Sequence, residues 1–214
     1  GDRSHHFRIL RGVKNRFGAT DEIGVFEMVE AGLAEVPNPS ELFLAGRRDD
    51  VTGAVVFAGI EGSRPVLVEI EALVAPSSLA TPRRNVVGWD SSRLAMLTAV
   101  LEARCGVPLS GRDIFLNVAG GLKIDDPSGD LALCMAIISS YEEKVINNKL
   151  CFTGEVGLNG EIRPVSRIGS RIMEAEKLGF KEIIIPFYNK VETKHKIKIS
   201  PYRKIQQVYE NIFN

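Results

Sequence analysis

The chemistry of this chain must come from a few short runs. The first is Lys14-Asn15-Arg16-Phe17-Gly18. Side chains at i and i+2 of an extended chain point to the same side. Two cations on one face can bracket a phosphate chain and stabilise charge in phosphoryl transfer. The plainer reading is a basic strand end before a glycine turn. The second run is Asp126-Pro127-Ser128-Gly129-Asp130, just ahead of an apolar stretch. Ser128 there could be a nucleophile beside helix-terminal N–H groups that would form an oxyanion hole. It could equally be an N-cap, as could Asp130. A nucleophile needs a base, and none is obvious, because His5, His6 and His195 sit towards the chain ends. The third run is Thr81-Pro82-Arg83-Arg84-Asn85. Adjacent arginines in a loop suit contacts to phosphates. They also suit a solvated basic loop.

Absent patterns exclude other chemistries. The chain has no GxxxxGK[ST] phosphate-cradling loop, no GxGxxG opening a helix, and no HExxH. Cys105, Cys134 and Cys151 lie far apart without a CxxC pair, too few for a tetrahedral zinc site. They read as reduced thiols in a cytoplasmic protein. No apolar stretch approaches the roughly 20 residues that span a bilayer, and no signal-peptide pattern opens the chain. No membrane partner is expected. The abrupt start, Gly1-Asp2-Arg3, reads as a fragment of a longer protein.

The elements that must position these runs can be read from periodicity. Phe7 to Val13 and Ile23 to Val29 alternate like strands, and Glu30 to Val36 returns towards the breaker Pro37-Asn38-Pro39. Val51 to Ile60 and Pro65 to Val74 predict a long antiparallel hairpin around Glu61-Gly62-Ser63-Arg64. A helix follows Asp90 and is closed by Gly106. Ile114 to Val118 is a short strand. The helix from about Ser128 to Tyr141 is apolar all round through Leu131–Ile138, so it must be buried on most sides. Leu150 to Val156 is a strand, Ile168 to Leu178 an amphipathic helix stopped by Gly179, and Ile183 to Pro186 a buried strand. This alternation predicts α/β packing.

Size and charge set the frame. A chain of 214 residues, 44% hydrophobic and 25% charged, is globular in composition and suits one large domain with or without a fragment. Its 27 basic and 27 acidic side chains cancel, but not locally. Residues 1–18 carry a net +4, 19–50 a net −6, and 189–214 a net +4. A uniformly basic nucleic-acid binder is excluded; basic patches are not. The basic tail from Lys190 to Lys204 reads as a solvated surface or terminal strand. Tyr188, Tyr202 and Tyr209 are too scattered in sequence to predict base stacking there.

Taken together, the motifs resemble the bacterial RadA (Sms) family of DNA-repair proteins over essentially the whole chain. Lys14 to Gly18 matches the family's KNRFG motif, flanked by Phe7-Arg8-Ile9-Leu10-Arg11 and Glu22 to Met28. From about 110 to 190 the chain looks like the proteolytic domain of Lon peptidases. Thr153-Gly154-Glu155-Val156, the Gly160 and Pro164 spacing, and Ile184 to Lys190 carry that similarity. The resemblance implies an α/β (α+β) architecture in two parts. Residues 1–50 would be the terminal β-strands of a RecA-like ATPase core. Residues 51–214 would be a Lon-like (ribosomal S5 domain 2-like) βαβ domain.

The same resemblance implies a function. The whole protein would be a hexameric, ATP- and Mg-dependent DNA-processing hydrolase. It would migrate branched recombination intermediates alongside RecA recombinase, on single- and double-stranded DNA. Its zinc would sit in an N-terminal finger outside this chain. Lys14 and Arg16 would reach the nucleotide of a neighbouring subunit, and Arg83 and Arg84 would contact DNA. Ser128 falls at the Lon nucleophile position, while Gly169 stands where Lon has its catalytic lysine. Arg167 and Arg171 cannot replace that amine, since a guanidinium stays protonated. A non-proteolytic domain follows. Two alternatives remain: an active Lon-type serine peptidase using Lys123 or Lys177, and a ribosomal-protein-like RNA-binding module. The acidic 19–50 segment argues against the latter.

Overall fold

Val55 and Phe57 belong to one apolar cluster, Val56 and Ala58 to another. A strand buried on both faces must lie inside a sheet covered on both sides. The structure, a computed structural model, describes residues 7–11, 23–192 and 194–213. Its first three strands are β1 (Phe7–Arg11), β2 (Ile23–Val29) and β3 (Gly32–Glu35), an antiparallel sheet in that order. The short helix α1 (Pro39–Phe43) follows. It packs on the larger part of the molecule: Phe43 enters the main core, and the Ser40 hydroxyl accepts from the Leu67 amide at 3.1 Å.

The predicted hairpin is β4 (Ala54–Glu61) and β5 (Arg64–Pro76), in antiparallel register. Gly53 precedes it at φ +78°, where a Cβ would lie 2.1 Å from the Ala72 carbonyl oxygen, so only glycine fits. Strand β6 (Arg84–Val87) leads to α2 (Ser91–Val100), whose N-cap Asp90 accepts from the Arg93 amide at 2.8 Å. One π-turn, Leu101–Cys105, ends at the left-handed Gly106. Then come β7 (Arg112–Val118), α3 (Asp130–Glu142), β8 (Leu150–Phe152), β9 (Glu155–Val156) and β10 (Ile162–Arg163). The chain closes with α4 (Ile168–Lys177), β11 (Glu182–Pro186), β12 (Lys198–Tyr202) and α5 (Ile205–Phe213).

Seven strands form one mixed sheet, β12-β11-β8-β4-β5-β7-β6. The pairs β12–β11, β11–β8, β8–β4 and β6–β7 are parallel; β4–β5 and β5–β7 are antiparallel. This is the α/β class that the alternation of elements predicts. One face carries α2, α3 and α5 over the larger cluster; the other carries α4 over Val56, Leu67, Cys151 and Ile183. All residues from Leu131 to Ile138 are completely buried, as their apolar run requires.

The structure departs from the sequence reading in three places. Leu150 to Val156 is two strands, because the Thr153 amide still bonds Ile184 of β11 but the next amide, Gly154, turns away to bond Ser128, which takes the chain out of the sheet. Arg84 and Asn85, read as loop, begin a parallel edge strand. The Lys190 to Lys204 tail holds the terminal strand β12, as one reading of it allows, but the helix α5 that follows was not read from the sequence.

Candidate functional site

The residues around Ser128 are drawn together by four elements. Asp126 stops the extended chain and accepts from the Ser128 amide at 2.9 Å, opening a 3-10 turn that runs into α3. Gly129 is required there, since a Cβ would stand 2.7 Å from the Trp89 ring. The Gly154 amide donates to the Ser128 carbonyl at 2.7 Å, tying the turn to the end of β8. From the opposite face α4 sends in Arg171. Ile168, Arg171, Ile172 and Ala175 are its buried residues, a helical stripe with an arginine in it.

Arg171 is 1% exposed and fully engaged. Nη1 donates to the Ser128 hydroxyl at 2.6 Å, the Ala58 carbonyl at 2.9 Å and the Thr153 hydroxyl at 3.2 Å. Nη2 pairs with Asp126 at 2.8 Å, and Nε donates to the Ser166 carbonyl at 3.0 Å. Burial pulls the Arg171 pKa down and the Asp126 pair works against that. Burial alone would raise the Asp126 pKa, but the Ser128 hydroxyl and Arg171 outweigh it and hold the carboxyl below its usual range.

This geometry cannot activate Ser128. The serine is 2% exposed, and its oxygen already accepts from a permanent cation. A general base works best with a pKa near neutrality, and Asp126 is shifted the other way. The nearby amides are occupied as well: Ser128 N–H by the Asp126 carboxylate, Gly129 N–H by the Asp126 carbonyl at 3.2 Å. Gly169 is the second residue of α4, and a Cβ there would meet nothing within 4 Å. Lys123 pairs with Asp125 at 2.8 Å and Lys177 lies 3.8 Å from Glu174, both largely in solvent. His195 faces Glu176 at 3.3 Å.

The other sequence candidates lie apart from this cluster. Arg83 pairs with the buried Asp113 at 2.6 and 2.8 Å and stacks over Phe115 at 5.4 Å, while its side chain stays half-exposed. Arg84 donates to the carbonyls of Arg83, Leu109 and Arg112. Both guanidiniums thus hold the β6–β7 corner. Lys14 and Arg16 lie outside the described residues. Asp130 is not a simple cap. It is buried at the head of α3, held by Arg93 (Nε at 2.6 Å) and by the Val156 amide at 3.0 Å. Burial still raises its pKa, against the pull of Arg93.

Sequence reasoning missed the partners of both the buried Arg171 and the partly exposed Arg93. The stripe Ile168-Arg171-Ile172-Ala175 was a usable signal, because an arginine at a core position of a helix needs partners. The Arg93–Asp130 pair spans 37 residues and left no local signal. Among the described residues no group of three or more His, Cys, Asp or Glu could hold a metal ion. The three thiols are free, and burial pushes Cys105 up to about 11. No helix, among the described residues, is long and apolar enough to cross a membrane.

Comparison with known proteins adds a lineage. A family profile described as Subunit ChlI of Mg-chelatase matches residues 90–189. The DNA repair protein RadA of Brucella abortus is 58% identical over 186 residues, covering 87% of this chain and 40% of that protein. The DNA repair protein RadA of Bacillus subtilis is 54% identical over 189 residues, covering 88% of this chain and 41% of that protein. The Rickettsia prowazekii protein of the same name is 49% identical over 212 residues, covering 99% of this chain and 47% of that protein. The chain therefore spans less than half the length of the curated relatives it matches.

Proposed function

The chain belongs to the RadA family, and from that premise we propose that it serves a DNA-dependent ATPase of recombinational DNA repair as a peptidase-like domain without peptidase chemistry. Residues 51–214 form the Lon-like domain, and 1–50 end a RecA-like ATPase core. The domain acts as a ring scaffold and DNA contact in a cytoplasmic hexamer that handles branched intermediates with RecA recombinase.

The observation that carries the reading is the Arg171–Ser128 hydrogen bond of 2.6 Å, inside a cluster with no amine to take a proton. The Lon-like assignment is supported by the placement of Ser128 in a turn before a buried helix, tied to Thr153-Gly154. The ATPase-core remnant is supported by β1–β3, a separate sheet that exposes Leu10, Met28, Val29 and Leu33.

Among the described residues, the glycine turn after β7 does not fit a nucleotide. Gly120 and Gly121 follow β7 at positive φ, but Leu122 to Asp126 then run without a helix, and Lys123 is paired with Asp125. No helix N-terminus cradles a phosphate there. ATP and Mg belong to the part of the relatives that this chain does not span. Lys14 and Arg16 are the proposed contacts to a neighbouring subunit's nucleotide.

A fluorophosphonate probe tests the central claim. No label is expected on Ser128, in the chain as it stands or in its Arg171→Met variant. Labelling that disappears in Ser128→Ala would establish the competing serine-peptidase reading.

A further inference from the structure

We propose that Phe187, Tyr188, Arg203 and Lys204 form a stacking site for single-stranded nucleic acid at the end of the parallel pair β11–β12. The inference rests on the DNA-contact part of the reading above and gives it a place and a mode of binding.

The register of the strands makes the site. Pro186 pairs with Tyr202, and the Phe187 amide donates to the Tyr202 carbonyl at 2.8 Å. Residues 187–188 and 203–204, separate in sequence, therefore emerge side by side. The two rings stand edge to face, 5.3 Å between centroids and 87° between planes. The Arg203 guanidinium lies 4.0 Å from the Phe187 centroid and 5.3 Å from that of Tyr188, and Nη1 donates to the Tyr188 hydroxyl at 3.3 Å. The rings are nonetheless 42% and 62% exposed. The Gln207 side chain fixes the turn behind them by accepting from the Arg203 and Lys204 amides at 3.2 and 3.1 Å.

Next to this platform, a cavity of about 280 Å3 is lined by Arg104, Asn159, Gly160, Lys204 and Gln206. Of the acids around it, Glu155 and Glu161 are held by Arg163, at 3.2 and 2.7 Å, and Glu210 accepts from Gln206 at 2.9 Å. The four cations Arg104, Arg163, Arg203 and Lys204 outnumber these three carboxylates.

Preorganised rings under a cation, in positive surroundings, match a polyanion that offers flat faces. A single strand does so, because its bases are free to leave their stack. A duplex keeps its base faces covered and would meet only the cations. An apolar peptide would fill the rings but leave the charges unmatched.

Fluorescence anisotropy with a labelled oligothymidylate of about 20 nucleotides, longer than a typical binding site, tests this on the 214-residue chain. Phe187→Ala with Tyr188→Ala is expected to weaken single-strand binding about tenfold or more while duplex binding changes little. Arg203→Gln with Lys204→Gln is expected to flatten the slope of log affinity against log salt by about 1.4, for two phosphate contacts. In Tyr188→Trp the emission of the introduced ring should be quenched by the oligonucleotide. The sole native tryptophan, Trp89, is buried.

Unchanged single-strand affinity in the double-alanine variant would overturn the site. So would a change in that variant's mass in solution, which would make the patch a contact between copies. If the chain binds duplex but not oligothymidylate, the stacking site fails and the DNA-contact reading stands. Binding to neither removes both.

Discussion

Two carboxylates, one buried and one partly exposed, show how residue chemistry is set by a partner's permanence. Asp126 and Asp113 each face an arginine, which cannot lose its proton at workable pH. At Asp126 the consequence is functional, because the charge that holds the carboxylate also occupies the oxygen of Ser128. At Asp113 it is structural. The Arg83 backbone N–H first, then the Arg83 guanidinium and Ser77, hold the Asp113 pKa down to about 2. A carboxyl depressed in the folded state contributes stability above its unfolded pKa, near 3.8, and loses it as pH falls through the folded value. Stability should therefore decline between about pH 4 and pH 2. Urea unfolding across that window should show a shallower decline in Asp113→Asn than in the unaltered chain. An identical pH slope in the two would mean that Asp113 is not among the groups responsible.

At the scale of elements, α3 is the helix the others are built around. Nothing polar interrupts Leu131 to Ile138, and each of these residues is completely buried between the sheet, α2 and α5. Leu133→Ala should cost about 2–5 kcal/mol, because the close-packed surroundings collapse only partly into the space left. Leu178→Ala, at the half-buried end of α4, should cost much less. Equal losses in denaturant titrations would show that α3 is not packed as described.

The same helix explains what was legible in the sequence. It announces itself by an unbroken apolar run, and the β4–β5 hairpin and α4 by periodicity within one segment. The pairs that define the Ser128 cluster do not, since Arg171 and Ser128 are 43 positions apart and meet only across the sheet. Strand β6 was missed for a similar reason. Its four residues are strand because β7 lies beside them in parallel, not because of their own pattern. The aromatic pair at Phe187 and Tyr188 was legible as residues but not as a site, since Arg203 reaches it only through the β11–β12 register.

Across the whole molecule, stability must be unevenly spread. The seven-stranded sheet is clamped between two apolar clusters, and Val56, Ala58 and Leu67 sit fully enclosed in it. Among the described residues, the sheet β1–β3 has no such cover. Of its described side chains Val25 is buried, while Leu10, Met28, Val29 and Leu33 are exposed. A sheet of three short strands in which Val25 is the one enclosed apolar side chain among those described can open without disturbing a core that does not depend on it. Amides in the β2–β3 ladder, such as Glu27 and Ala34, should thus exchange with solvent at a free energy well below global unfolding. Those of Val56 and Leu67 should exchange only with it. The proposed place of β1–β3, as the end of an ATPase core, makes a further demand. In a chain extended to the full length of the relatives, the ladder should become protected, because the missing core would cover those four exposed side chains. Hydrogen exchange read by mass spectrometry on both lengths decides it. Protection of β2–β3 equal to that of β4–β5 in the short chain would show one cooperative unit, and no gain in the long chain would remove the ATPase-core assignment.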